Sequence, residues 1–499
     1  MEKGLILVHD GDFAAVALAE LKAGETYTVA GQTVTLTDDI PFGHKVALRE
    51  IKAGENVIKY GNPLGHATQD IHVGQHIHTH NMATNLDGHI EYAYQPDEAA
   101  LAAFGGVTEQ ATFEGYPRSD GKVGVRNELW IVPTVGCVNM TAQRLADMAK
   151  AEFAGRFDDI RAYTHNMGCS QLGDDQANTM KLLAGLIHNP NAGGVLVLSL
   201  GCENNNLDVF APYLGEVDES RVKFLVTQEV EDEYEAGMAL LRELDKNAGG
   251  MARQTVPASK LVIGFKCGGS DAFSGVTANP LCGRLCDRVV RNGGSCVLTE
   301  VPEMFGAEHL LMARAVDEDT FAQTVDLIND YKDYFTRHGQ VIYENPSPGN
   351  KAGGISTLEE KSLGCVQKGG SAPVVGVLGY GDPVEKNGLN LLTGSGNDQV
   401  SCTNLTCSGA TIICFTTGRG NPFGAPVPTV KVSSNSALAA RKPHWIDFNA
   451  GQILDGASWE QASDAFFRYI LDVASGRVQT NNEKNGYKEI SVFRDGVIL

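Results

Sequence analysis

From residue 128 onward the chain repeats one pattern: a short apolar run ends in glycine and a helical period follows. The run 129–135 leads into a helical period over 141–153, and the run 195–200 into another near 207–213. Further runs lie at 261–265, 295–298, 374–378 and 411–415. Unbroken apolar runs suit strands buried on both faces, and helices between them make the crossovers that parallel strands require. The pattern therefore predicts an α/β multidomain chain with largely parallel sheets. It also predicts where chemistry sits, because open parallel sheets bind ligands outside the carboxyl ends of their strands.

The first 95 residues do not follow this pattern. Short alternating strands with tight turns are expected at 27–36, 45–48 and 56–60, and only 13–21 looks helical. The expected organisation is a small, mostly β domain over 1–95, a linker over 96–112, a central α/β domain over 113–248 and a C-terminal α/β domain over 255–499. No internal repeat is evident. No run approaches the roughly 20 apolar residues of a membrane span, and the apolar run at the start is too short for a signal peptide. Eleven cysteines without a Cys-x-x-Cys pair fit reduced thiols in the cytoplasm.

Forty Lys and Arg against 61 Asp and Glu give a net charge of −21. Such a chain is no nucleic-acid or anionic-membrane binder. A small anionic substrate needs only a few local cations. Arg118, Lys122, Arg126 with Asn127, Lys351, Lys361 and Arg419 all lie in polar, Gly-rich surroundings. Most are expected to face water, but Arg suits a carboxylate because its guanidinium binds both oxygens.

Three further patterns carry chemistry. Seven of the 13 histidines lie between His44 and His89. If 76–80 is a strand, His76, His78 and His80 share one face and can hold a transition metal or a carboxylate. Cys137, Cys169 and Cys202 each follow a glycine at the end of an apolar run. At the carboxyl edge of a sheet they could converge as soft-metal ligands for a single iron or a labile cluster with one open iron. Last, Lys266-Cys267-Gly268-Gly269-Ser270-Asp271 directly follows a strand. Its glycines let the backbone approach a ligand, and Lys266, Ser270 and Asp271 suit an anionic, hydroxylated one. The spacing is not a dinucleotide fingerprint. Cys282, Cys286, Cys296, Cys402, Cys407 and Cys414 read as small core residues.

Several of these segments also carry a resemblance. The text Lys59-Tyr60-Gly61 with His78-Thr79-His80-Asn81, 115–127, 133–139, 266–280, 302–308, 345–364, 415–420 and 447–451 is similar, in order, to the altronate/galactarate dehydratase family. Gly388-Leu389-Asn390, Gly396-Asn397-Asp398 and 428–432 resemble the altronate branch more than the galactarate branch. The resemblance implies an N-terminal β-clip (antifreeze-like) domain before two α/β regions, and a divalent metal, Fe2+ or Mn2+. It implies a cytoplasmic hydro-lyase of hexuronate catabolism that turns D-altronate into 2-dehydro-3-deoxy-D-gluconate and water. A homo-oligomer stays open. For that reaction Lys266, His165 and Asp271 are the acid–base candidates. Arg126, Asn127, Ser270, Lys361 and Arg419 are the substrate candidates. The metal falls either to Cys137, Cys169 and Cys202 or to His78 and His80.

Overall fold

The computed structural model describes residues 4–496. Its N-terminal part is built from short antiparallel pairs. The largest sheet there runs Leu5–Ile6, Ala14–Ala17, Lys45–Ala47, His76–Ile77. Ala14–Ala17 is a strand where a helix is expected over 13–21. Its four residues are all buried between two neighbouring strands, and burial of this kind overrides helical periodicity.

This unit also contains a repeat that the sequence reading misses. Leu21 bridges Ile40, and Ile51 bridges Ile71 in the same sense. Lys22 pairs with Asp39 as Lys52 pairs with Asp70. The backbone N–H groups of Ala23 and Ala53 donate to those same aspartates. Ala30-Gly31 and Tyr60-Gly61 both turn through the left-handed region. The two copies carry the same turn, Lys22-Ala23-Gly24-Glu25 and Lys52-Ala53-Gly54-Glu55, and the clasping aspartate follows the lysine by 17 residues in one and 18 in the other.

The central sheet is parallel, in the order Ile160–Ala162, Glu128–Pro133, Ala192–Ser199, Val222–Val226. Side chains alternate across it. Leu129 and Ile131 pack with the Asn139–Glu152 and Glu233–Ala248 helices. Trp130 and Val132 pack with the Gly173–His188 and Leu207–Leu214 helices.

The C-terminal sheet has seven parallel strands. Their order is Val374–Leu378, Gly388–Leu392, Ser295–Leu298, Val262–Cys267, Ile412–Thr417, Thr429–Ser433, Phe448–Asn449. The chain starts at Val262–Cys267, builds one flank, then returns to build the other from Ile412–Thr417. The boundary between those two strands is a topological switch point, where the loops diverge and leave a crevice. The segment 96–112 carries a helix, Glu98–Phe104, and is tied to this part of the molecule by Asp97 N–H to Ala313 and Thr108 N–H to Arg291.

Candidate active site

The loops after Val262–Cys267 and Ile412–Thr417 form the crevice. The N–H groups of Gly418 and Arg419 donate to the Gly269 carbonyl at 3.0 and 2.9 Å. Asp271 accepts from Ser274 Oγ (3.0 Å), Ser434 Oγ (2.8 Å) and Asn435 Nδ2 (3.1 Å). Burial pushes its pKa up while these donors oppose the shift. With both oxygens engaged, Asp271 braces its own loop to the one after Thr429–Ser433. Ser270 gives its carbonyl to Asn350, while its buried hydroxyl has no partner. It lines a small enclosed cavity with Tyr60, Asp271, Glu360 and Lys361. Arg419 is exposed at the rim. A broader cleft lies at the opposite edge of the sheet, at the strand starts Val262, Ser295 and Thr411, and of the basic residues named from the sequence it is lined by Lys122.

Beneath the crevice is a buried charge network. Lys266 Nζ contacts Glu300 Oε2 (2.6 Å), Asp398 Oδ1 (3.0 Å) and the Cys267 carbonyl (2.6 Å). Burial would lower its pKa, but the surrounding carboxylates win and raise it well above the usual lysine value. A locked ammonium has no lone pair to take a proton, so this geometry suits support of the loop rather than base catalysis. Lys361 Nζ meets Glu303 Oε1 (2.9 Å) and Asn345 Oδ1 (3.1 Å). Glu303 likewise outweighs burial and holds this lysine charged. Lys361 reaches the cavity and Lys266 does not. Cys267, Glu303 and Cys365 place ligand atoms within 4.8 Å of one another, and the two sulfurs lie 3.3 Å apart.

The N-terminal unit docks onto the helix Leu358–Cys365. Lys45 and Lys59 both reach the buried Glu360 carboxylate, at 2.7 and 2.9 Å. Docking brings the histidines to the crevice side. The strand ends after Ile77, and the turn closed by Asn81 N–H to His78 carries His78 and His80. The expected five-residue strand face is therefore not what assembles them. His44, just before the adjacent strand Lys45–Ala47, completes the group through His44 Nδ1 to His76 Nε2 at 2.9 Å. His78 stacks against His76, and His80 also faces it. Burial, then neighbouring positive groups, lowers His76 to about 4 and His78 to about 3. Neutral imidazoles are the form that binds metals. His78 Nδ1 is buried without a partner.

The remaining nominees lie in the central part of the chain. Cys137, Cys169 and Cys202 are exposed beyond the carboxyl ends of three neighbouring strands. Both nitrogens of His165 are used by backbone, Nε2 with the Pro133 carbonyl (2.8 Å) and Nδ1 with Met167 N–H (3.1 Å). Burial lowers its pKa. Arg126 is a buried partner of Glu483 and also donates to the Val125 and Val473 carbonyls. Asn127 donates to the Ala248 carbonyl. These contacts join segments of the fold and leave neither side chain free for substrate.

Sequence reasoning overlooks Glu303, Glu360, Cys365, Asn345 and Asn350. The one signal for Glu360 is weak: Glu359-Glu360-Lys361 reads as a solvated helix turn, yet all three are buried.

Comparison with known proteins identifies the relatives of the whole chain. Residues 3–85 match the family model described as altronate/galactarate dehydratase SAF domain. Residues 115–249 match D-galactarate dehydratase/altronate hydrolase, second domain, and 258–498 match D-galactarate/altronate dehydratase, C-terminal. An altronate dehydratase of Bacillus subtilis (strain 168) is 52% identical, covering 100% of both chains. One of Escherichia coli (strain K12) is 50% identical over 99% of each. A galactarate dehydratase (L-threo-forming) of Escherichia coli (strain K12) is 33% identical over 98% of this chain and 96% of its own.

Proposed function

Since the chain belongs to the altronate/galactarate dehydratase family, we infer that its crevice, closed over by the N-terminal histidines, is the site of a sugar-acid dehydration. The enzyme is a hydro-lyase that converts D-altronate to 2-dehydro-3-deoxy-D-gluconate and water. The observation that carries the substrate is the contrast in full-length identity, 52% and 50% to altronate dehydratases against 33% to a galactarate dehydratase.

Two side-chain sets could hold the divalent metal that the family implies. The imidazoles fit Fe2+ or Mn2+, since nitrogen donors suit both and His78 Nδ1 is an orphaned buried atom. The set Cys267, Glu303 and Cys365 fits less well, because Lys361 and Lys368 as well as Lys266 already surround it. We therefore assign the metal to His78 and His80. Bound there, it would supply Lewis acidity to the substrate carboxylate and adjacent hydroxyl.

The chain's own groups account for the rest. Lys361 and Arg419 bind the carboxylate, and Ser270 Oγ offers a free hydroxyl to the sugar chain. The hydrogen-bonded pair His44 and His76, neutral near pH 7, takes the C2 proton. The resulting enediolate carries negative charge, which Lys361 offsets from a site fixed before reaction. The same imidazole pair returns its proton to the departing C3 oxygen, so that water leaves. The enol then tautomerises to the 2-keto acid. Asp271 and Lys266 act as positioning residues for the crevice loops.

No helix among the described residues is long and apolar enough to cross a membrane. With its acidic balance, the chain is read as a cytoplasmic enzyme without a nucleic-acid partner. The test is keto-acid formation by the purified chain with Fe2+, Mn2+ or chelator. Altronate should be turned over faster than galactarate, and chelator should abolish the product. Equal or faster turnover of galactarate overturns the substrate assignment.

A further inference from the structure

Three exposed thiols in the central sheet have no part in the reaction just described. We propose that Cys137, Cys169 and Cys202 are the three protein ligands of an iron–sulfur cluster of the [4Fe–4S] type, with its fourth iron open to a small oxygen ligand.

The loops that carry them are braced against one another. Gly136 N–H donates to the Met167 carbonyl at 2.9 Å. Asn139 Nδ2 donates to the His165 carbonyl at 2.6 Å, and His165 returns to the Pro133 carbonyl. Asn205 ties the third loop in, from its N–H to the Gly168 carbonyl and from Nδ2 to Thr134 O, both at 3.0 Å. Glu203, beside Cys202, accepts from Thr134 Oγ1 at 2.6 Å and from the Gly201 N–H at 2.6 Å. Ser170, beside Cys169, donates its N–H to Asn204 Oδ1 at 2.8 Å. Each cysteine therefore sits within a residue or two of a bond to another of the three loops.

The backbone is shaped to present them. Gly168, Ser170 and Gly201 have φ of 100°, 58° and 122°, in the left-handed region that costs a non-glycine residue such as Ser170 about 1–2 kcal/mol. A side chain at Gly168 would run into the Thr134 carbonyl. Such strain needs support from its surroundings and is concentrated at functional sites. Two large apolar side chains are left exposed on the same loops: Met140 is 78% exposed and Leu172 48%. Each follows a cysteine by three residues, and apolar side chains near a cluster limit its access to water.

The three thiols do not form the compact group that one ion needs. A single tetrahedral ion holds its sulfurs at about 2.3 Å, hence about 4 Å from one another. Among the described residues the only ligand group that compact is Cys267, Glu303 and Cys365. A cluster binds each thiolate to a different iron and so spaces them more widely. Loading is ligand exchange without a change of oxidation state. Each cysteine loses its proton, and its sulfur replaces a small thiolate on a preassembled cluster.

The test is anaerobic incubation of the full chain with a preassembled [4Fe–4S] cluster carried by a small thiol, followed by gel filtration. Iron and acid-labile sulfide should elute with the protein in equal amounts, with visible absorption. After one-electron reduction a paramagnetic resonance signal should appear. C137A, C169A and C202A should each lose all three readouts, while C402A, at a buried cysteine outside the group, keeps them. The exposed positions allow each variant to fold, which its far-ultraviolet dichroism and melting curve check. Iron retained without sulfide, or equal cluster content in the three variants and the parent, overturns the proposal. Because no readout is activity, its failure leaves the dehydratase reading standing.

Discussion

Lys361 and Lys266 show how two buried lysines of one site come to differ. Both ammoniums are held charged by carboxylates, but only Lys361 lines the cavity. Removing a preorganised charge donor aimed at a developing oxyanion costs about 10²–10³ in turnover. Lys361→Met should lower kcat by about that factor, with Lys361→Arg recovering part of it, measured by keto-acid formation. Lys266→Met should instead show mainly as lost thermal stability, because it strands Glu300 without its closest ion-pair partner. At the imidazole cluster, His78→Ala should lower the iron or manganese that stays with the protein after gel filtration. Unchanged metal content would move the metal to another set.

At the scale of elements, the decisive contact is between the N-terminal unit and the Asn345–Thr357 loop with the helix after it. Gly354 has φ of 95°, and a side chain there would strike the Gly43 carbonyl one residue from His44. Gly354→Ala should therefore destabilise the docked state by about 1–3 kcal/mol, from strain and overpacking together. Calorimetry should report it as a lower or split transition, and turnover should fall because the histidines leave the crevice. The duplicated hairpins explain how so small a unit offers this surface. Each copy reuses the same Lys–Asp clasp and left-handed turn, and the copies place His44, just before Lys45–Ala47, beside His76 on the adjacent strand.

For the whole molecule, the buried Glu360 links N-terminal and C-terminal parts through Lys45 and Lys59. Burial alone would raise its pKa, but the two ammoniums outweigh burial and hold it far below the usual 4.5. A carboxylate with a depressed folded pKa contributes stability above its unfolded value and loses it as pH falls toward the folded one. The melting temperature should thus decline as pH drops below about 4.5. Glu360→Gln should melt lower at pH 7 and show a shallower acid dependence. Losing one member of such a buried pair costs about 3–5 kcal/mol. Identical acid profiles for variant and parent would show that Glu360 does not set this dependence.

The parallel α/β architecture was legible in the chain alone. Strands at 295–298 and 374–378 coincide with Ser295–Leu298 and Val374–Leu378, because a short apolar run suits a strand in a covered parallel sheet. The family was legible too, since its short motifs keep their order along the whole length. The loop with Ser270 and Asp271 could be placed for the same reason, since it ends a strand. Other features could not be read this way. Whether Arg126 meets a substrate or Glu483, and whether Glu360 faces water or two lysines, depends on partners 357, 315 and 301 residues away. The hairpin repeat is marked in the chain by two Lys-Ala-Gly-Glu turns, but the strands that follow them differ, so it stands out only through the matching bridges and ion pairs. Local pattern thus determined which segments of the α/β part are strands and helices, because those follow from nearest neighbours along the chain. Only the tertiary structure decided which charged groups are struts and which face the cavity, because burial and long-range pairing set the protonation state and freedom of each one.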